Sequence, residues 1–168
     1  MHWTEKLRDG THVLVRPIRK SDASIERTFI ERLSPESRHF RFLGYFKSPS
    51  DELVKRMTDI DDERDMAFVA LVHDEGEKKE VGVSRYSVAT DGTSCECAVA
   101  VADEWHGRGL GALLMRHLIE VARSRGIKKM CSIDSSDNSG MRDLAAYLGF
   151  KRQTDPDDVH QVLYTLSL

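Results

Sequence analysis

The chain has 168 residues, with 25 basic and 28 acidic side chains and a net charge of -3. That length suits one domain, 1–168, with a sizeable core, and the mildly acidic balance excludes nucleic-acid binding through a general basic surface. No apolar run nears the ~18 residues of a membrane helix, Met1-His2-Trp3-Thr4-Glu5 does not read as a signal peptide, and three cysteines, Cys95, Cys97 and Cys131, argue against a disulfide framework. The expectation is a cytoplasmic protein with no membrane partner.

Residues 12–18 alternate and are β-branched, so they read as the first strand, with Pro17 near its end or at a sheet edge. Residues 22–33 read as a helix. Ser34-Pro35 and Ser48-Pro49 each set a capping hydroxyl before a proline suited to the first helical position. Ser48-x-x-Asp51 has the form of a capping box. Residues 66–72 and 81–89 read as an antiparallel pair joined by a charged loop over 74–80. Residues 95–101 form a further strand, with Cys95 and Cys97 on one face as core residues. Leu110, Leu113, Leu114, Leu118 and Val121 then fall on one helical face. Arg123 and Arg125 lie in its last turn and Gly126 ends it. A short strand over 128–133 follows. Met141, Leu144, Ala145 and Leu148 form a last helical stripe, closed by Leu148-Gly149-Phe150, and two strands end the chain.

Between the strand at 95–101 and the helix lies Trp105-His106-Gly107-Arg108-Gly109-Leu110-Gly111. Three glycines at alternate positions strip a turn of side chains just before a helix. Bare backbone N–H groups at the positive end of a helix dipole bind phosphate or pyrophosphate. A P-loop is excluded, because Ala112-Leu113-Leu114 follows Gly111 rather than Lys-Ser/Thr. A dinucleotide fingerprint is excluded too: the third glycine comes one residue too soon, and the loop lies late in the chain.

His106, Gly109 and Gly111 occupy the defining positions of [QR]-x-x-G-x-[GA], with His106 in place of Gln or Arg. This pattern resembles the acyl-CoA loop of the GNAT superfamily of N-acetyltransferases. From about residue 94 onward, the element order and the Asn-x-x-[AM]-x-x-Leu…Gly-Phe signature are similar to the GNAT core as well; Asn138, Met141, Leu144, Gly149 and Phe150 supply that signature. Leu14-Val15-Arg16-Pro17-Ile18 and Leu33-Ser34-Pro35-Glu36-Ser37-Arg38, followed by Arg41-Phe42, resemble the acetyltransferase domain of bacterial Pat-type protein lysine acetyltransferases. The resemblance implies an α/β (α+β) fold. Its mixed sheet would have about six to seven strands flanked by helices, with a splay between the strand at 94–102 and the strand at 128–134. It also implies acetyl-CoA as acyl donor, an amine acceptor, for Pat-type enzymes a protein lysine, and leaves room for a homodimer.

The resemblance assigns residues as follows. Val99, Ala100 and Val101 would offer backbone groups to the thioester carbonyl and pantetheine. His106, Gly107, Arg108, Gly109, Leu110, Gly111 and Ala112 would surround the pyrophosphate, while Asn138 and Met141 would border pantetheine. Arg108 either contacts phosphate or points outward, and Asn138 caps a helix, contacts pantetheine, or does both. A protonated His106 would bind phosphate and make CoA affinity pH-sensitive.

An amine of pKa about 10.4 must lose a proton before it attacks a thioester. Glu96, a charge inside an otherwise apolar strand, sits where Pat-type enzymes carry a general base. The alternatives are a Glu that faces solvent or one that pairs with Arg85. Arg38 and Arg41 are equally readable as functional or as solvated helix charges. Many GNAT enzymes carry a Tyr acid where this chain has Ala145, and Tyr147 would sit roughly 200° around the helix from it. No Cys/His nucleophile pair is present, and His12, His39, His73, His117 and His160 lack metal-ligand spacing, so no metal is expected. Asp59, Asp61, Asp62 and Glu63 either attract a cationic acceptor or form a solvated loop. Three functions follow: lysine acetylation of a protein such as an acyl-CoA synthetase, acetylation of a small amine, or non-catalytic acyl-CoA sensing.

Overall fold

The structure is a computed structural model that describes residues 1–42 and 48–168. The elements run β1 (Trp3–Lys6), β2 (His12–Pro17), α1 (Ala23–Arg32), α2 (Pro35–Phe42), α3 (Asp51–Thr58), β3 (Asp65–Asp74), β4 (Glu77–Val88), β5 (Ser94–Val101), α4 (Leu110–Ser124), β6 (Lys129–Ser135), α5 (Ser139–Leu148), β7 (Lys151–Asp155) and β8 (Asp158–Ser167). One mixed sheet has the order β1-β2-β3-β4-β5-β6-β8-β7. Every neighbouring pair is antiparallel except β5–β6.

The sheet has the expected mixed architecture, with eight strands rather than six or seven. The addition is β1, whose four residues alternate between half-buried and exposed. Its anchor is Trp3, edge-on to Phe68 at 5.5 Å and stacked on His117 at 4.0 Å. No periodicity over four residues announces such a strand. Because β1 covers β2, Pro17 marks the end of β2 and not a sheet edge. The expected loop over 74–80 shrinks to Glu75-Gly76, both at positive φ. That geometry is the two-residue hairpin whose twist matches the flanking strands. The Ser48 cap does not form. Ser50 accepts from the Leu53 N–H at 3.1 Å and opens α3, while Ser48 Oγ donates to Glu31 at 2.7 Å.

Helices α4 and α5 cover one face of the sheet and α1–α3 the other, each over its own apolar core. Leu110, Leu114 and Leu118 of α4 are fully buried, each contributing about 2 kcal/mol of apolar burial. Beneath them β4 passes at Gly82, where an added Cβ would stand 2.9 Å from Leu114 Cδ1. Ser84 Oγ donates to the Leu114 carbonyl at 3.1 Å. Close packing of α4 on β4 therefore fixes where the glycine loop before the helix lies.

Candidate active site

Strands β5 and β6 share only three register pairs: Ser94↔Lys129, Cys95↔Met130 and Glu96↔Cys131. Beyond Glu96 they part, while β5 stays paired to β4 as far as Val101↔Gly82. One backbone edge of 97–101 thus faces a cavity of about 750 Å³, whose lining includes Glu96, Val99, Val101, Asp134 and Arg41. This is the splay that the sequence led us to expect.

The glycine loop closes one end of the cavity. Gly107 and Gly109 lie at φ 76° and 84°, values at which a side chain would be strained. Among the described residues, no backbone carbonyl accepts from the N–H groups of 107–112. Those bare donors sit at the first turn of the 15-residue helix α4, where an anion is favoured. At Gly111 an added Cβ would come within 3.4 Å of Leu144 Cδ2, so its small size also lets α5 approach.

Internal contacts occupy the loop's polar side chains. His106 Nε2 lies 2.9 Å from the Val101 carbonyl. A carbonyl only accepts, so this nitrogen carries the proton, and the ring tethers the loop to the end of β5. The Arg108 guanidinium lies 4.5 Å over Trp105 and 3.4 Å from Asp9. Asp103 accepts from Ser37 Oγ at 3.0 Å and from the Ser34 N–H at 3.5 Å, which ties α2 to the loop.

Glu96 is exposed at the cavity wall. Arg85 does not pair with it: that guanidinium lies 3.7 Å from Glu26 and donates to the Met57 carbonyl at 3.1 Å. Asn138 caps α5 by accepting from the Met141 N–H at 3.1 Å, and both residues line the cavity. Ala145 is buried, whereas Tyr147 is exposed and its hydroxyl accepts from Arg116 at 3.4 Å, away from the cavity.

Two charged wall residues stand out. Arg41 of α2 lines the cavity. Burial pushes its guanidinium down to about 10, helped by the charge of Arg85 and opposed by Glu26, Asp134 and Glu96. It stays cationic at neutral pH and sits in the field of both cavity carboxylates. Asp134 of β6 is the residue that sequence reasoning missed. Burial raises its carboxyl above the usual range, against hydrogen bonds from the Ser135 N–H at 2.7 Å and the Asn138 amide at 3.5 Å. An acidic residue inside a short strand was the available signal, the same one that picked out Glu96.

The acetyltransferase (GNAT) family model matches residues 30–150. The chain belongs to the GNAT acetyltransferase family. It is 55% identical over 167 residues to "Acetyltransferase PA5475" of Pseudomonas aeruginosa, covering 99% of this chain and 90% of that one. The GNAT domain of S. lividans PAT superposes with a TM-score of 0.89 at 27% identity, over 99% of this chain and 97% of that one. A cAMP-binding acyltransferase from Mycobacterium smegmatis shares the fold, with a TM-score of 0.68 at 23% identity, over 99% of this chain and 47% of that one. The enzyme is an acetyltransferase that moves an acetyl group from acetyl-CoA to an amine. Its bare loop donors, its side-chain-free glycine turn and the unpaired edge of β5 suit a long phosphate-bearing thioester.

Proposed function

We propose that the enzyme acetylates lysine side chains of a protein acceptor, with Glu96 as general base. The observation that carries this reading is the exposed Glu96 carboxylate on the wall of the splayed cleft. A side chain presented from a bulky protein reaches an exposed base without having to enter the interior. Pat-like motifs in the N-terminal half and the likeness to the S. lividans PAT domain support the same acceptor class.

In this reading acetyl-CoA supplies the acyl thioester. Gly107, Arg108, Gly109, Leu110, Gly111 and Ala112 hold its pyrophosphate through backbone N–H groups, and Asn138 and Met141 border the pantetheine arm. Backbone donors of Val99, Ala100 and Val101 polarise the carbonyl where negative charge develops. His106 acts from behind, through the Val101 carbonyl that it holds. Glu96 takes the ammonium proton; the amine nitrogen bonds to the carbonyl carbon, the C–S bond breaks to release a thiolate, and the second proton that the nitrogen sheds as the amide forms passes to that thiolate or to solvent. With buried Ala145 at the position of the usual Tyr, the thiolate leaves without a tyrosine acid.

The test is thiol release from acetyl-CoA with an acyl-CoA synthetase and a panel of small amines as acceptors, wild type beside Glu96→Gln. Transfer to a synthetase lysine that falls about 10²–10³-fold in the variant, at unchanged CoA affinity, is the expected result. Wild-type turnover in Glu96→Gln would remove the base assignment. Turnover on small amines alone would replace the protein acceptor, and binding without turnover would leave a sensor.

A further inference from the structure

The glycine loop holds an anion with backbone dipoles, yet its own side-chain cation is committed elsewhere. Arg108 is balanced by Asp9 and laid over Trp105. His106, at the position where the family pattern has Gln or Arg, donates to the Val101 carbonyl. Another cation approaches from outside the loop. Arg8 lies in the turn between β1 and β2, closed by Leu7 N–H to the Thr11 carbonyl at 2.8 Å and Gly10 N–H to the Leu7 carbonyl at 3.0 Å. Asp9 Oδ1 accepts from the Thr11 N–H at 2.9 Å and stiffens the same turn.

This hairpin end faces the start of α4. A methyl group built on Gly109, the residue that caps the helix, would stand 4.0 Å from Arg8 Nε. Arg8 has no ion pair or hydrogen bond among the described residues, and it is exposed. The other charge in the turn, the Asp9 carboxylate, is offset by Arg108 at 3.4 Å. What remains beside the bare N–H groups is an uncompensated planar guanidinium, the side chain best shaped for two phosphate oxygens.

We propose that Arg8 binds the pyrophosphate of CoA, reaching from the N-terminal hairpin across the glycine loop. This rests on the reading of that loop as the CoA cradle. CoA offers a guanidinium either its pyrophosphate or its ribose 3′-phosphate. Proximity to Gly109, where the loop donors converge, assigns the pyrophosphate. The hairpin β1–β2 thereby becomes part of the cofactor site.

Calorimetric titration of wild type, Arg8→Gln and Arg8→Lys with CoA and with dephospho-CoA tests this at two salt concentrations. Arg8→Gln is expected to weaken both ligands by the same factor, about tenfold for one lost charge-assisted contact, and to flatten the salt dependence. Arg8→Lys should recover part of the loss, and the melting temperature without ligand should not move, since Arg8 is exposed and makes no hydrogen bond or ion pair among the described residues. Equal affinity of Arg8→Gln and wild type overturns the proposal. A loss confined to CoA overturns it as well, by moving Arg8 to the 3′-phosphate. Failure of the wild type to bind either ligand overturns the CoA cradle itself.

Discussion

The two faces of the sheet are built on different physics. Under α4 and α5 the core is apolar: Leu110, Leu114, Met115, Leu118 and Met130 are all buried. Under α1–α3, Ile30, Val69 and Val83 share the interior with Arg16, Asp22, Glu26, Glu80 and Arg85. The apolar face sets the position of α4, and so of the loop at its start. The charged face lies beneath α2, which brings Arg41 to the cleft. Apolar packing is tolerant of small shifts in its partners, whereas a buried charge demands a partner at a fixed place. The comparison predicts that the two faces respond differently to truncation.

The largest effect is expected on the charged face. Arg16 meets Asp22 through two bonds of 2.7 and 2.8 Å, and Asp22 also accepts from the Arg19 N–H at 2.7 Å. Burial works to raise this carboxyl, but the bonds from Arg16 and Arg19 outweigh it and hold it below the usual range. Asp22→Ala strands a buried guanidinium and should cost about 3–5 kcal/mol in denaturant unfolding. The double variant Arg16→Met, Asp22→Leu should recover most of that loss, because no charge is left unpaired. If the double variant is no better than the single one, the pair is needed for more than mutual neutralisation.

A somewhat smaller loss is expected on the apolar face. Leu118 is fully buried in α4, and Leu118→Ala should cost about 3 kcal/mol through lost transfer energy and the cavity left behind. Since the cavity would lie away from the bare loop donors, CoA affinity measured well below the melting temperature should hold. A parallel fall in affinity would mean that the apolar platform tunes the loop as well as placing it.

The same contrast explains what was legible in the sequence. Periodicity gave α4 and α5, and the glycine spacing gave the anion loop, since both are local patterns. Glu96 stood out as a charge inside an apolar strand. Asp134 carried a similar signal, but only the parting of β5 and β6 puts it on a cavity wall. Arg8 had no signal at all: its place beside Gly109 is created by a four-residue strand held by the packing of Trp3. The buried charges were invisible for the same reason. Arg16 to Asp22 is a contact between strand and turn, and Glu26 to Arg85 spans helix and sheet. At α3 the sequence pointed to Ser48 as the cap, and tertiary bonding of Ser48 to Glu31 left that role to Ser50.

The smallest change, and one of opposite sign, is expected at Glu80. Its carboxyl and that of Glu26 are buried against each other, and the Arg85 guanidinium lies 3.7 Å from Glu26. Burial, next the negative charge of Glu26, and then a hydrogen bond to the Glu26 carboxylate raise the Glu80 carboxyl well above the usual range, with Arg85 opposing and Asp22 adding to the shift. A carboxyl whose folded value exceeds its unfolded one stabilises the fold fully only below the unfolded value, and that stability is lost as pH rises through the folded value. Above about pH 4.3, therefore, wild type loses stability that Glu80→Gln, which has no proton to release, retains. The difference between the two proteins in unfolding free energy should be smallest in acid and should grow in favour of the variant as pH rises, until Glu80 has ionised in the folded state. Parallel pH profiles would show that Glu80 is ionised in the fold and that Arg85 neutralises both carboxylates. The charged face would then be a satisfied network, and the contrast with the apolar face would be one of partner number rather than of proton occupancy.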